Sequence, residues 1–452
     1  MQSTKKSIVF FQTTPTHVRL FNRVHKVLEN NDEYACHIVD MLKLIKLPFS
    51  KLFRRVLPDF IFNKLSNGCR RRFWALYIVL FRKKYSAIIE GILKSCNAEC
   101  IVLMDQYIGL LRGICYLVAK KMDLPIIVIP YLVQRLHDII VSRETHILVK
   151  RASNSIAGRI IKLIFPQWVV KQSKKRVLWA FPLEIIGLRL LGINVKDPQK
   201  GVNDIVDVLL VPSSESKNRL IACGFNPNKI EVVGDLAYDI FYDQKKYHKQ
   251  WLRNNGISEN KKIAVYSISA ELNFNNVYGS YVQYLDKYIK IFDALKKRGW
   301  IIIANPHPCT KSEAVERVCD AGYPIYKGDI AELLPHADLY ITSYCSTTAW
   351  AIALGIPSID HYIYNIKWKG YENVDSVKRF FTADDIETFF MEKVTCVDYF
   401  NDWAVSSNKY ASKYANKYGS NLIDGCVMKR IICNIQKIRE SKIQKKGEIK
   451  LQ

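Results

Sequence analysis

Ile301-Ile302-Ile303-Ala304-Asn305-Pro306-His307-Pro308 opens the stretch that decides the fold. Ala337-Asp338-Leu339-Tyr340-Ile341-Thr342-Ser343-Tyr344-Cys345-Ser346-Thr347-Thr348 continues it, and Gly355-Ile356-Pro357-Ser358-Ile359-Asp360 closes it. Each piece carries a short apolar run bounded by polar or turn residues, and a small-residue helix is expected from Ala349 to Leu354. Strand, polar turn, helix, strand at this spacing predicts a parallel α/β sheet. Ligands of such sheets bind where strands end and helices begin. Ser346, Thr347 and Thr348 fall where a helix N-terminus is expected, with spare backbone N–H groups suited to phosphate. His307 ends a neighbouring strand and can donate to the same anion.

Working outward, other apolar runs repeat the pattern. Ser7–Phe11 predicts a first strand, followed by a turn through His17 and a helix near Val18. Cys100–Asp105 predicts a strand ending in an acid, and Pro125–Pro130 and Val206–Ser213 predict two more. Lys262–Ser269 opens a second half, where Ser267, Ser269 and Glu271 sit on or beside a polar loop. The predicted fold class is α/β, with two Rossmann-like domains facing across a cleft and a helical insertion in the first. The expected domains are 1–245 with a basic insertion at about 131–203, then 246–398. Residues 399–452 are expected to return as helices to the first domain and end in a charged, frayed tail.

Composition bounds the function. The 452 residues are 49% hydrophobic, and 67 Lys and Arg against 42 Asp and Glu give a formal charge of +25. That excess suits an anionic partner. No nucleic-acid module is present, and the cations stand beside apolar runs in 41–85 and 131–203, which points to an anionic membrane surface. A buried helix with solvated ends is the alternative reading of the apolar run in 41–85, and a packed helical subdomain is that of 131–203. Twelve cysteines without paired Cys-x2-Cys spacing predict free thiols in a reducing, cytoplasmic setting, peripheral on the inner face of the membrane. No run reaches the roughly 20 apolar residues that span a bilayer. Dinucleotide and P-loop glycine motifs are absent. Asp-x-Asp is absent too, so a metal-independent reaction without a cofactor is expected.

His307-Pro308, Asp338, Ser343, Ser346-Thr347 and Gly355-Ile356-Pro357 together resemble the nucleotide-binding half of the GT-B glycosyltransferase superfamily. That group includes bacterial sialyl- and ulosonic-acid transferases, polyol-phosphate polymerases and UDP-N-acetylglucosamine 2-epimerases. The resemblance implies a nucleotide-sugar donor bound by His307, Pro308, Ser267, Ser269, Glu271, Ser343, Ser346, Thr347 and Thr348. It implies a glycan or lipid-linked glycan acceptor of capsule or lipopolysaccharide type on the first domain. Asp105 or His17 is then the base, with a helix N-cap as the structural alternative for Asp105 and a capping or solvated histidine at a helix start for His17. Many relatives that use UDP-sugars carry a Glu in the helix after the Ser/Thr turn. Trp350 stands at about that place here, which turns the donor expectation toward a CMP-linked ulosonic acid. A CDP-polyol phosphotransferase, an epimerase-like enzyme and a non-catalytic membrane-bound scaffold are the alternatives.

Overall fold

A computed structural model describes residues 6–12, 24, 34–41, 43–44, 75–130, 133, 135–171, 173–269, 280–363 and 369–451. The described residues fall into two compact units. One takes those of Met1–Val211, Ser216–Val233 and Met428–Gln452, the other Pro212–Glu215 and Gly234–Val427.

The first unit is a six-stranded parallel sheet. Its strands are β1 (Lys6–Gln12), β2 (Tyr34–Asp40), β3 (Ala98–Leu103), β4 (Ile126–Val128), β5 (Val208–Val211) and β6 (Ile230–Val232), in the order β2-β1-β3-β4-β5-β6. The runs IVFF, IVL, IIV and VLLV are buried on both faces, as strands covered by helices on each side must be. The covering helices are α1 (Arg82–Ser95), α2 (Leu110–Lys121), α3 (Leu136–Thr145), α4 (Ile147–Asn154), α5 (Ile156–Ile164), α6 (Pro182–Leu190) and α7 (Ser214–Ala222). Residues 75–80 are also helical.

The second unit is a five-stranded parallel sheet. It comprises β7 (Ile263–Ile268), β8 (Ile301–Pro306), β9 (Leu339–Thr342), β10 (Ser358–His361) and β11 (Val377–Phe380), in the order β11-β10-β9-β7-β8. Its helices are α8 (Ala237–Lys246), α9 (His248–Asn254), α10 (Tyr281–Lys297), α11 (Ser312–Asp320), α12 (Ile330–Leu333), α13 (Thr348–Leu354), α14 (Ala383–Phe389), α15 (Val397–Lys413) and α16 (Ala415–Tyr418). A capping box on Ser280 and Gln283 starts α10, and Gly355 at φ +75° ends α13.

Two parallel sheets wrapped in helices are what the strand pattern predicts. The connections differ from expectation in three places. Both α8 and α9 belong to the second unit, so the chain leaves the first sheet at Val233. Return to the first unit comes at Met428, inside the last helix, α17 (Val427–Leu451). Finally, the run expected as a frayed tail is helical. Arg439 pairs with Glu99 at 2.9 Å and Lys442 with Asp207 at 3.0 Å, which ties α17 to the first sheet.

Segment 131–203 is the crossover between the neighbouring strands β4 and β5. Much of it is ordinary core: Ile139, Val149, Trp168, Leu178, Ile185 and Leu188 are buried. The basic run at 45–74 lies outside the described residues.

Candidate functional site

Both sheets change direction of connection at one point. In the first, β1 is flanked by β2 and β3; in the second, β7 is flanked by β8 and β9. At such a switch the loops leaving two adjacent strands part and leave a crevice at their carboxyl ends.

In the second unit the crevice lies between the ends of β7 and β9, and hydroxyl residues gather there. Ser269 follows β7, and its Oγ donates to the carbonyl of Ser343, which follows β9, at 3.2 Å. Ser343 Oγ in turn accepts from the Ile363 N–H at 3.4 Å. His307, at the end of β8, is bound to the same edge: its N–H donates to the Ile268 carbonyl at 3.0 Å. The Cys309 N–H donates to His307 Nδ1 at 3.1 Å, so the neutral ring carries its proton on Nε2. Pro308 continues that turn. Ser269, Ser343 and His307 thus share one sheet edge.

Other expected donor residues turn inward. Ser267 and Thr347 bond the phenol of fully buried Tyr340, whose pKa burial pushes well up. Thr347 Oγ1 also meets Cys345 Sγ at 2.9 Å. Thr348 is fully buried, with no hydrogen-bond partner for Oγ1 among the described residues. Ser346 is half-buried, and its carbonyl accepts from the Ala349 N–H. Glu271 lies outside the described residues.

The spare N–H groups expected at the start of α13 require correction. Thr347 occupies the N-cap position but makes no side-chain cap bond. The N–H groups of Thr348, Ala349 and Trp350 donate to the carbonyls of Cys345, Ser346 and Thr347. A tight turn with helical dihedrals at Thr347 consumes these donors, because a side-chain cap needs an extended N-cap residue.

Asp338 of the motif is not at this edge either. It precedes β9, and its carboxylate accepts from the Ile263 N–H at 2.8 Å, clipping the opposite ends of β7 and β9 together. Burial raises its pKa. Trp350 is committed as well: its indole N–H donates to Asp235 at 3.0 Å.

Two residues of this edge escaped sequence reasoning. Tyr344 has φ +49° and donates its N–H to Asp360 Oδ1 at 3.0 Å. Asp360 is completely buried one residue from the end of β10, with Oδ2 lacking a partner among the described residues. Burial raises its pKa to about 6. An acid ending an apolar strand was the available signal.

In the first unit, Asp105 stands two residues beyond β3, at that sheet's switch point. It is not a helix cap, because Gly109 occupies the N-cap of α2. Its carboxylate pairs with Arg112 in the first turn of α2. Burial lowers the Arg112 pKa, and Glu184 opposes that fall; Arg143 behaves in the same way beside the same Glu184. Two guanidiniums are therefore offset by two carboxylates. A lone Arg in the apolar run Leu110–Ala119 was the sequence signal for this cluster. His17 lies outside the described residues.

A separate cleft of about 740 Å³ lies at the other end of α13, against Tyr242, Lys245, Leu354, Asn408 and Asn421. It takes no residue of the hydroxyl-lined edge.

No family model matches the chain, and no curated protein matches it. Solved structures do. A UDP-GlcNAc 2-epimerase from Neisseria meningitidis bound to UDP-GlcNAc aligns with 94% of this chain and 99% of its own, at 12% identity and TM-score 0.50. A structure of the wall teichoic acid polymerase TagF with CDPG aligns with 98% and 91%, at 11% identity and TM-score 0.52. Both are GT-B fold enzymes, and this chain has that type of fold. At these identities the likeness is one of fold.

Proposed function

We propose that this chain is a metal-independent glycosyltransferase that moves a sugar from a nucleotide-activated donor to a surface-glycan acceptor. A CMP-linked ulosonic acid is the favoured donor. The observation that carries the reading is the Ser269–Ser343 bond across the switch point of the second sheet, with His307 on the same edge. Of these, the His307 ring N–H and the Ser343 hydroxyl are the donors offered where a nucleotide phosphate would lie. The fold likeness adds support, since the two solved structures contain UDP-GlcNAc and CDPG.

The reaction follows from polarity. A base, Asp105 or His17, takes the proton of the acceptor hydroxyl. The acceptor oxygen then bonds to the anomeric carbon as the bond from that carbon to the phosphate oxygen breaks. Negative charge collects on the departing CMP. His307 Nε2–H and the Ser343 hydroxyl stabilise it, in place of the helix N-terminus inferred from sequence, while the Ser269 hydroxyl holds the Ser343 carbonyl in position.

The TagF likeness favours one second reading, a CDP-polyol phosphotransferase. Thermal-shift measurements with CMP, CDP, UDP and GDP separate the two. A ligand at about a hundred times its Kd stabilises by roughly 2.7 kcal/mol. The largest shift is expected with CMP. A larger shift with CDP selects the second reading, and one with UDP selects an epimerase-like site. No shift with any nucleotide overturns the enzyme and leaves a scaffold.

A further inference from the structure

The helix α5 is built inside out. Its inward face is Gly158 and Ile161. Gly158 lies so close to the preceding helix that an added Cβ would stand 2.2 Å from the Ala152 carbonyl oxygen, and Ser155 Oγ accepts its N–H. The buried Ser153 Oγ accepts the Leu178 N–H at 2.9 Å and ties α4 to the strand-like segment behind it. The orientation of α5 is therefore set by close backbone packing. At spacings i, i+4, i+7 and i+8, the opposite face presents Ile156, Ile160, Leu163 and Ile164 to solvent. Ile156 is 79% exposed and Leu163 is 81% exposed.

Next to it, α6 shows Leu183, Ile186 and Leu190 at i, i+3 and i+7. The two helices pack together, and the Arg189 guanidinium lies 5.2 Å from the Phe165 ring that ends α5. Single exposed aliphatics need no explanation, but two adjoining rows mark an interaction surface.

Charge selects the occupant. Between Ser155 and Gly192 the sequence has seven Lys or Arg and one acid, Glu184. Arg159, Lys162 and Arg176 crowd one flank of α5, and burial together with the other two cations lowers the Lys162 pKa. A second copy would bring this face against its own cations, since a two-fold interface is self-complementary. We infer that the outward face of α5 and α6 docks on an anionic lipid bilayer, its aliphatic rows entering the acyl boundary and its cations meeting the headgroups. Among the described residues no helix is long and apolar enough to cross a membrane, so this is attachment in the plane of the interface. The inference stands whichever donor the second unit takes.

The test is co-sedimentation of the full chain with vesicles of phosphatidylcholine alone and of phosphatidylcholine mixed equally with phosphatidylglycerol. Binding to the mixed vesicles is expected, falling as salt screens charges beyond about 8 Å. Leu163→Ser with Ile164→Ser, both at exposed positions, should keep the melting temperature and lower partition by at least about tenfold. Arg159→Gln with Arg176→Gln should weaken binding to the mixed vesicles alone. Absence of vesicle binding overturns the inference, as does equal binding by all three proteins. A dimer in solution that Leu163→Ser with Ile164→Ser converts to monomer also overturns it, by seating a second copy on the rows.

Discussion

The two units share a plan and differ in what they place on it. Each puts its first strand between the second and third. Each also uses an Asp just ahead of a strand as a clip: Asp207 accepts from the Ile126 N–H and Asp338 from the Ile263 N–H, both at 2.8 Å. The chemistry then diverges at the carboxyl edge. The first unit sets Asp105 against Arg112, with Glu184 and Arg143 nearby; the second sets hydroxyls and an imidazole. Among the described residues, only the first expands a crossover between adjacent strands into a helical subdomain with an exposed aliphatic face. One topology therefore serves two kinds of surface, because strand order depends on the apolar runs while the loops after them are free to vary.

Asp105→Asn tests whether charge belongs to catalysis and hydroxyls to binding. Loss of a general base lowers turnover by about 10²–10⁴-fold, and nucleotide affinity should stay unchanged. A fall in affinity seen by calorimetry would break the division. Asp360→Asn comes next, read as stability against pH. The Asp360 carboxyl has an ordinary pKa of 3.8, raised to about 6 in the fold. Its contribution is therefore complete below about pH 3.8 and is lost as pH rises through about 6. The variant should remove that loss, on the order of 3 kcal/mol between these limits. His361, lowered by burial to about 3, works in the opposite sense. Its contribution is complete above 6.5 and is lost as pH falls through about 3, so the melting profile of Asp360→Asn should still drop at the acid end.

His307→Ala should cut turnover by about ten- to a hundredfold, the equivalent of a charge-assisted hydrogen bond of roughly 1.5–3 kcal/mol. Unlike Asp105→Asn, it should also weaken nucleotide binding. Full affinity together with full turnover would reduce His307 to a strand-end residue. Trp350→Phe carries the smallest effect. It removes one bond to Asp235 at about 1 kcal/mol, visible as a small fall in melting temperature with turnover retained.

The sheets were legible because apolar runs such as Ile301–Ala304 and Val208–Val211 have no exposed alternative. The switch-point edge was legible through His307, Ser269 and Ser343, which all follow such runs. The direction of a side chain was not. Ser267 lies within its strand, one residue from the end, and the pleat turns it down to Tyr340, while Ser269 clears the strand and reaches across. The motif Asp338 precedes its strand, so it sits at the far end of the sheet from the hydroxyls. The tail looked frayed because its charges have no partners nearby in sequence. Glu99 and Asp207, which hold Arg439 and Lys442, are hundreds of residues away.

That last pairing sets an order of manufacture. The six strands of the first sheet leave the ribosome before any residue from Gly234 to Val427, yet the helix that meets Glu99 and Asp207 follows them all. At about 5–20 residues per second the interval is on the order of tens of seconds. Throughout it the second unit, all but Pro212–Glu215 of it one run of chain, can fold, while those two acids stay without their partner cations. The unit begun first is finished last.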